Sequence, residues 1–126
     1  MDEDVRNALD ADELIDITTI GRRTGESRRI EIGLQRVQGR YFLTGTPGKA
    51  RAWYANLVAR PQFTLHLKQS VTKDLAVSAR PIIERDERWV IFADLLRPLA
   101  SITSAPGMGP HLWIEKSPLV EVVFDD

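Results

Sequence analysis

Apolar and polar residues alternate along several short segments of this chain, and turn residues separate the segments. Residues 30–35 read I-E-I-G-L-Q, residues 63–68 read F-T-L-H-L-K, and residues 75–80 read L-A-V-S-A-R. A period of two is typical of a β-strand with one buried face, because successive side chains point to opposite sides of a sheet. The chain is therefore predicted to fold mainly as β structure, with a smaller number of helices.

Six strands follow from this alternation and from runs of β-branched and aromatic residues. The predicted strands are 15–19, 30–34, 41–44, 63–67, 75–79 and 119–124. The Gln-Gly-Arg sequence at 38–40 is typical of a hairpin turn leading into the third strand. Many short strands with hairpin links in 126 residues predict one domain, residues 1–126, that contains a small barrel.

Three segments are predicted to be helical. The acidic N-terminal segment 1–13 has helical character from residue 3, and a helix at 50–60 is ended by Pro61. Asp86 is a candidate N-cap for a helix that runs to about Leu99, with apolar residues at helical spacing. Residues 101–110 contain two prolines and two glycines and are predicted to form an irregular loop.

Charge is distributed unevenly along the chain, although the formal net charge is only −1. Residues 1–16 contain seven acidic residues and one arginine, whereas residues 21–51 contain eight basic residues and two acidic ones. A nearly neutral protein that concentrates positive charge in one region is typical of one that binds an anionic ligand there.

The most concentrated positive charge surrounds a glycine turn between the first two predicted strands. Residues 18–29 read T-T-I-G-R-R-T-G-E-S-R-R, so two arginines precede a Thr-Gly turn and two follow it. Guanidinium groups match phosphate and carboxylate oxygens in pairs, and glycines allow backbone N–H groups to approach an anion closely. From this window alone, two interpretations remain open: an anion site built from four arginines, or a solvated basic hairpin without a ligand.

A second group of candidate binding residues follows the third predicted strand. Lys49 and Arg51 form a basic loop, and Trp53 and Tyr54 lie at the start of the predicted helix. Arginines, a helix N-terminus and aromatic rings together suit an anionic ligand with a flat heterocycle. Simple core packing remains the alternative for both aromatic residues. Asn56 is expected at the surface unless it shares the helical face of Trp53.

Other chemistries find little support in the sequence. Cysteine is absent, which excludes disulfides, thiolate catalysis and sulfur-ligated metal sites. His66 and His111 are the only histidines, neither has an evident catalytic partner, and His66 is expected on the outer face of its strand. No spacing of histidines and carboxylates resembles a metal-ligand set, so no metal is predicted. The Gly-Met-Gly triplet at 107–109 lacks the strand-then-helix context of a dinucleotide-binding motif.

Four blocks of the sequence resemble one known family. Residues 17–25 read I-T-T-I-G-R-R-T-G, an Arg-Arg pair opens the next strand, residues 53–57 read W-Y-A-N-L, and an Arg-Pro pair follows. These blocks, within residues 14–83, resemble the deazaflavin-dependent nitroreductases, actinobacterial oxidoreductases that use coenzyme F420. The resemblance implies an α+β, mainly β fold: a split β-barrel of about six to seven antiparallel strands with two to three helices, related to flavin-binding pyridoxamine-phosphate oxidases.

The resemblance also implies a function and a binding site. It implies hydride transfer from reduced F420 to an electron-poor acceptor, which is a quinone, an activated alkene or a nitro compound. The corner arginines and their threonine would contact the phosphate or the anionic tail of F420, and the later residues would border its ring. The residues expected to bind the cofactor are Arg22, Arg23, Thr24, Gly25, Arg28, Pro47, Gly48, Lys49, Trp53 and Asn56. Tyr54 is a candidate proton donor.

Several alternatives remain beside this hypothesis. The protein could be a split barrel that binds FMN or haem, or a deazaflavin-binding protein without turnover. Nucleic-acid binding is disfavoured because the N-terminal segment is acidic. The partner is expected to be a small molecule, and a homodimer would place Trp89 or Trp113 at its contact. The chain has no apolar run of spanning length and no secretory signal, so we expect a cytoplasmic protein without an integral membrane segment.

Overall fold

Seven antiparallel strands form one sheet in the computed structural model, which describes residues 1–48, 50–97 and 109–125. The strands are β1 (Leu14–Ile20), β2 (Ser27–Gly33), β3 (Gln35–Val37), β4 (Arg40–Thr44), β5 (Gln62–Leu67), β6 (Lys73–Pro81) and β7 (Leu119–Phe124). The helices of the described residues are α1 (Glu3–Ala11), α2 (Ala52–Ala59), α3 (Arg85–Leu95) and α4 (Pro110–Lys116). The prediction of a mainly β fold is confirmed.

The order of the strands explains why the sheet curls. The order is β2-β1-β5-β6-β7-β4-β3, so β2 and β3 lie at opposite edges. Only Leu34 separates these two strands along the chain. The sheet must therefore curl until its edges approach each other, and β2 also contacts β4. The result is the curled half barrel expected of a split-barrel fold.

The inner face of this sheet forms the main core. Ile15 and Ile17 of β1 and Leu65 of β5 are fully buried there, as the period of two predicts. One side of α1 packs against them, and α2 contributes its fully buried Leu57. Burial of side chains of this size contributes about 1.5–3 kcal/mol each to stability. The core thereby fixes the position of α2 against β1.

A smaller core forms where α3 and α4 pack against the other part of the sheet. Phe92 of α3 and Trp113 of α4 lie with their ring centroids 6.3 Å apart, and Trp113 is 5% exposed. Trp113 is therefore buried within the chain, so the structure contradicts its expected place at a dimer contact. Trp89 is 55% exposed.

The helices of the last third differ from their predicted bounds. The N-cap of α3 is Glu84, whose carboxylate accepts hydrogen bonds from the backbone N–H groups of Asp86 and Glu87, so the proposed cap at Asp86 is wrong. α3 ends at Leu95, and Leu99 and most of the predicted loop lie outside the described residues. α4 was not predicted, because a helix of seven residues is too short to show clear periodicity.

Candidate functional site

A cavity of about 750 Å³ opens between the β1–β2 hairpin and the start of α2. Its lining residues come from the end of β1, the glycine corner, β2, the end of β4 and the start of α2. They include Thr19, Gly21, Arg22, Arg23, Thr24, Arg28, Ile30, Glu31, Ile32, Thr44, Arg51, Ala52, Trp53 and Asn56. The structure thus brings six of the ten predicted cofactor-binding residues to one cavity.

The glycine corner is a loop closed by its own backbone. The N–H of Gly21 donates to the carbonyl of Glu26 at 2.8 Å, and the N–H of Gly25 donates to the carbonyl of Gly21 at 2.9 Å. Gly25 has φ +75°, a conformation that side chains disfavour, which explains glycine at this position. The closed loop holds Arg22 and Arg23 beside β2.

The register of β1 and β2 places the side chains of the two arginines that follow the corner on opposite faces of the sheet. Arg28 pairs with Thr19 and faces the cavity, whereas Arg29 pairs with Thr18 and faces the opposite side of the sheet. There the Nε of Arg29 donates to the carboxylate of Asp16 at 3.0 Å. The interpretation that four arginines converge on one site is therefore wrong, and three of them line the cavity.

Asn56 joins the corner to α2. Its Oδ1 accepts hydrogen bonds from the backbone N–H of Arg22 at 3.1 Å and from Nη1 of the same arginine at 3.0 Å. Its Nδ2 donates to the hydroxyl of Thr19 at 3.2 Å, and the residue is only 3% exposed. The surface position expected for Asn56 is wrong, because the hydrogen bonds of its amide draw it into the interface between α2 and β1.

The far wall of the cavity is apolar. Ile30 and Ile32 of β2 line it and are respectively 36% exposed and half-buried, although their alternation predicted a core face. Trp53 is 9% exposed and belongs both to the core and to the cavity wall, so core packing is confirmed and its contact with a ligand stays a prediction. An edge-to-face contact with Tyr54, with ring centroids 6.0 Å apart, fixes the orientation of the indole.

Arg51 forms the rim beside α2 and is absent from the predicted set of cofactor-binding residues. Its guanidinium lies over Gly45, where a Cβ atom would approach it to 2.6 Å, and it donates to the backbone carbonyl and hydroxyl of Thr46 at 2.9 and 2.8 Å. Its place in a basic loop was the signal that could have identified it. Thr19, Thr44 and Ala52 line the cavity without such a signal.

The other predicted site residues that the structure describes do not line the first cavity. Gly48 and Tyr54 line a second cavity on the other side of α2, whereas Gly25 and Pro47 line neither. Lys49 lies outside the described residues.

The electrostatic character of the first cavity is positive. Four arginines are among its described lining residues, and the one acidic residue there, Glu31, pairs with Asp16 and directs its carboxylate to the opposite face of β2. The ammonium of Lys68 donates to this carboxylate, which partly neutralises it. A site with this balance attracts anions.

His66 has the hydrogen-bond partners that the sequence did not reveal. Its Nε2 lies 2.7 Å from the hydroxyl of Thr18, and its Nδ1 lies 2.7 Å from a carboxylate oxygen of Asp74. The hydrogen bond to His66 lowers the pKa of Asp74. His66 faces away from Leu65, as expected, but it is 6% exposed rather than solvated. None of these three residues lines the first or the second cavity.

A family model named F420H2-dependent quinone reductase matches residues 3–100 of the chain. The chain belongs to this family. The resemblance to F420-dependent split-barrel enzymes is therefore confirmed. Membership of this family identifies the protein as a reductase. A comparison with curated proteins gave no match.

Solved structures support the fold of this family member. An F420-H2 dependent reductase (FDR-A) is 20% identical with a TM-score of 0.58, and the match covers 88% of this chain and 94% of that one. HutZ, the haem storage protein of Vibrio cholerae, is 15% identical with a TM-score of 0.67 over 97% and 88% of the two chains. Atu2129 of Agrobacterium tumefaciens, of unknown function, is 12% identical with a TM-score of 0.71 over 98% of this chain. The chain spans about half of its length, 53%.

The described residues contain neither a membrane-spanning helix nor a metal-binding cluster. No helix there is long and apolar enough to cross a bilayer. No group of three or more histidine or carboxylate side chains there is placed to hold a metal ion.

Proposed function

We propose that the first cavity binds coenzyme F420 and that the protein uses the reduced coenzyme to reduce a quinone. The observation that carries this proposal is the division of one cavity into a cationic end and an apolar wall. Arg22, Arg23 and Arg28 supply the cationic end, and Ile30 and Trp53 belong to the apolar wall. Quinone is preferred over an activated alkene or a nitro compound because the family is described by that acceptor.

The cationic end fits the charged part of F420, which carries a phosphate and a tail of glutamate carboxylates. Three guanidinium groups that project from one short loop and one strand offer several pairs of N–H donors to such oxygens. The hydrogen bonds that Arg22 donates to Oδ1 of Asn56 hold its guanidinium in place before a ligand arrives, which reduces the entropy lost on binding.

The apolar wall fits a flat ring system. A cavity of about 750 Å³ lies within the range of cofactor sites, which is roughly 300–1,000 Å³. Ile32 and Trp53 present apolar surface that a ring can cover, and covering it removes that surface from water. Because both side chains also pack into the core, the wall is rigid and can orient a ring.

When bound, the reduced deazaflavin supplies a hydride to the acceptor. The residues of this chain bind and orient the coenzyme and exclude water from its apolar side. The acceptor also needs a proton, and Glu31, the one acidic residue among the described lining residues, directs its carboxylate to the opposite face of β2 beside Asp16. Because Glu31 is bonded to Lys68 and Tyr54 lines the other cavity, we assign the proton to solvent water.

Fluorescence titration of the purified protein with oxidised F420, beside FMN as a control, tests the binding step. We expect saturable binding of F420 and at least about tenfold weaker binding of FMN, because FMN lacks the glutamate carboxylates that the arginines would hold. Turnover is then followed as the return of F420 fluorescence when the reduced coenzyme is mixed with the quinone menadione.

Each other outcome contradicts a defined part of the proposal. Preferential binding of FMN or haem would identify a split barrel with another cofactor. Tight binding of F420 without turnover on quinones, activated alkenes or nitro compounds would identify a non-catalytic binding protein.

A further inference from the structure

A second cavity, of about 490 Å³, lies on the other side of α2. The residues before α2, the residues between β6 and α3, and the end of α4 enclose it. Tyr54, Arg88 and Lys116 contribute polar groups to its wall. The role proposed for the first cavity makes no use of this space.

Arg88 is a buried cation in the wall of this second cavity. It is 8% exposed, and its guanidinium donates to backbone carbonyls at the end of α4 and before α3. These acceptors are Ile114, Ile82, Trp113 and Ser117. Four of its five N–H groups are thereby used, one Nη1 N–H remains, and no carboxylate pairs with it among the described residues.

Because Arg88 is buried without a carboxylate partner, the charged form of its guanidinium is disfavoured. Loss of hydration lowers its pKa, although the guanidinium stays protonated at neutral pH. The helix-end carbonyls compensate part of this charge with their dipoles. An anion in the cavity would compensate the remainder.

Two further donors of the cavity have no bonding partner in the described part of the chain. The hydroxyl of Tyr54 makes no hydrogen bond there, and its ring contacts are aromatic. The ammonium of the exposed Lys116 forms neither a hydrogen bond nor an ion pair there. Both groups are therefore available to a ligand.

Negative charge at the cavity is already neutralised. Glu115 is the one carboxylate among its described lining residues, and its Oε1 accepts a hydrogen bond from Nη2 of Arg85 at 3.1 Å. Arg51 also lines this cavity, so the charge of its wall is positive. The cavity combines positive charge with unused donors, and this combination is what an oxyanion requires.

We propose that the second cavity binds a small oxyanion, a phosphate or carboxylate group, through Tyr54, Arg88 and Lys116. Because the donors are on α2, α3 and α4, a bound anion links α2 to the helices of the last third of the chain. The proposal is independent of the function assigned to the first cavity.

The test is an NMR titration of the ¹⁵N-labelled full chain with inorganic phosphate, and separately with acetate, at constant ionic strength set by sodium chloride. We expect saturable shifts of the backbone amides of Gly48 and Lys116 with at least one of the two anions. The anion that binds more tightly identifies the preferred oxyanion.

Three variants make the result specific. Lys116→Met should weaken binding at this site by at least about tenfold, the loss expected for one charge-assisted contact. Lys73→Met removes an exposed lysine that lines neither cavity and should leave the affinity unchanged. Arg28→Ala alters only the first cavity and should also leave these shifts unchanged.

Two results would overturn the proposal. One is a linear, non-saturating response of both amides to phosphate and to acetate, since this shows that no site exists. The other is an affinity that Lys116→Met leaves intact or that Arg28→Ala abolishes, since the anion then binds elsewhere. Tyr54→Phe, which retains the ring contact with Trp53, is a second test of the site. We expect a several-fold loss of anion affinity, because the variant lacks the hydroxyl donor.

Discussion

The side-chain amide of Asn56 holds Arg22 by two hydrogen bonds, one to its backbone N–H and one to its guanidinium. The same amide donates to Thr19, so one buried side chain connects α2, β1 and the arginine corner. The position of a proposed anion-binding arginine is thus set by a residue 34 positions away in the chain.

Asn56→Ala should lower both stability and F420 affinity. The substitution leaves the Thr19 hydroxyl and the Arg22 N–H without their partner, which costs about 1–3 kcal/mol of unfolding free energy. The freed guanidinium should weaken F420 binding by about tenfold. Urea denaturation and fluorescence titration measure the two effects. Gln62→Ala, which removes an exposed amide, is the control.

A double variant distinguishes an Asn56 that positions Arg22 from an Asn56 that contacts the coenzyme directly. If Asn56 acts through Arg22, the double variant of Asn56→Ala and Arg22→Ala should bind F420 no more weakly than Arg22→Ala alone. Additive losses in the double variant would instead show that the amide contacts the coenzyme itself.

The double substitution of Arg22 and Arg28 by alanine should weaken F420 binding by at least about tenfold while the fold remains intact. Arg29→Ala is the matched control, because Arg29 is adjacent in sequence but pairs with Asp16 on the opposite face of the sheet. Fluorescence titration at two salt concentrations measures the affinities. An equal loss in the Arg29 variant would mean that net charge, rather than the cavity, determines binding.

His66→Ala should destabilise the protein without changing F420 affinity. The substitution removes the hydrogen bonds to Thr18 and Asp74, and we expect a loss of about 1–2 kcal/mol. Because Thr18 and His66 face away from the first cavity, the titration curve with F420 should match that of the unaltered protein. A clear change in affinity would show that the hydrogen bonds of His66 affect F420 binding in the first cavity.

Stability should decrease in acid because of Glu121. Hydrogen bonds from Arg40, at 2.9 and 3.0 Å, and further bonds from Arg80 hold the pKa of Glu121 below its usual value of 4.5, although burial opposes the shift. A lowered pKa in the folded state contributes stability that is complete above the unfolded pKa and is lost as the pH falls through the folded pKa.

Glu121→Gln should therefore lower stability at pH 7 and flatten the decrease below about pH 4.5, the usual pKa of this carboxyl group. Urea denaturation between pH 3 and pH 7 provides the measurement. Glu13→Gln, at an exposed carboxylate without a side-chain hydrogen bond in the described structure, should retain the full acid dependence. If the unfolding free energy of the Glu121 variant decreases in acid as much as that of the unaltered protein, the pH dependence belongs to other carboxylates.

Local patterns predicted most of the sheet. β5 and β7 lie within one residue of their predicted bounds, because alternation and β-branched runs act over a few residues and need no information from distant parts of the chain. The turn at 38–39 was equally local, since Gln38 and Gly39 both adopt the positive φ that such a hairpin requires. The same holds for the corner that carries Arg22 and Arg28.

Residues whose environment depends on distant partners were predicted less well. The sequence predicts Asn56 at the surface and shows no partner for His66, because their hydrogen bonds reach Thr19 and Asp74 on other elements. Likewise, the cap of α3 is Glu84, an acidic residue that ranks below Asp86 in cap preference but stands at the point where the chain leaves the sheet.

The sequence by itself determined that this chain has short antiparallel strands and a basic glycine corner, because side-chain period and turn chemistry are local properties. Only the tertiary structure decided which arginines share a cavity. Arg28 and Arg29 are adjacent residues of the same type, yet their pairing with β1 directs their side chains to opposite faces of β2. Strand register, set by the burial of the whole core, therefore decides the charge of the site.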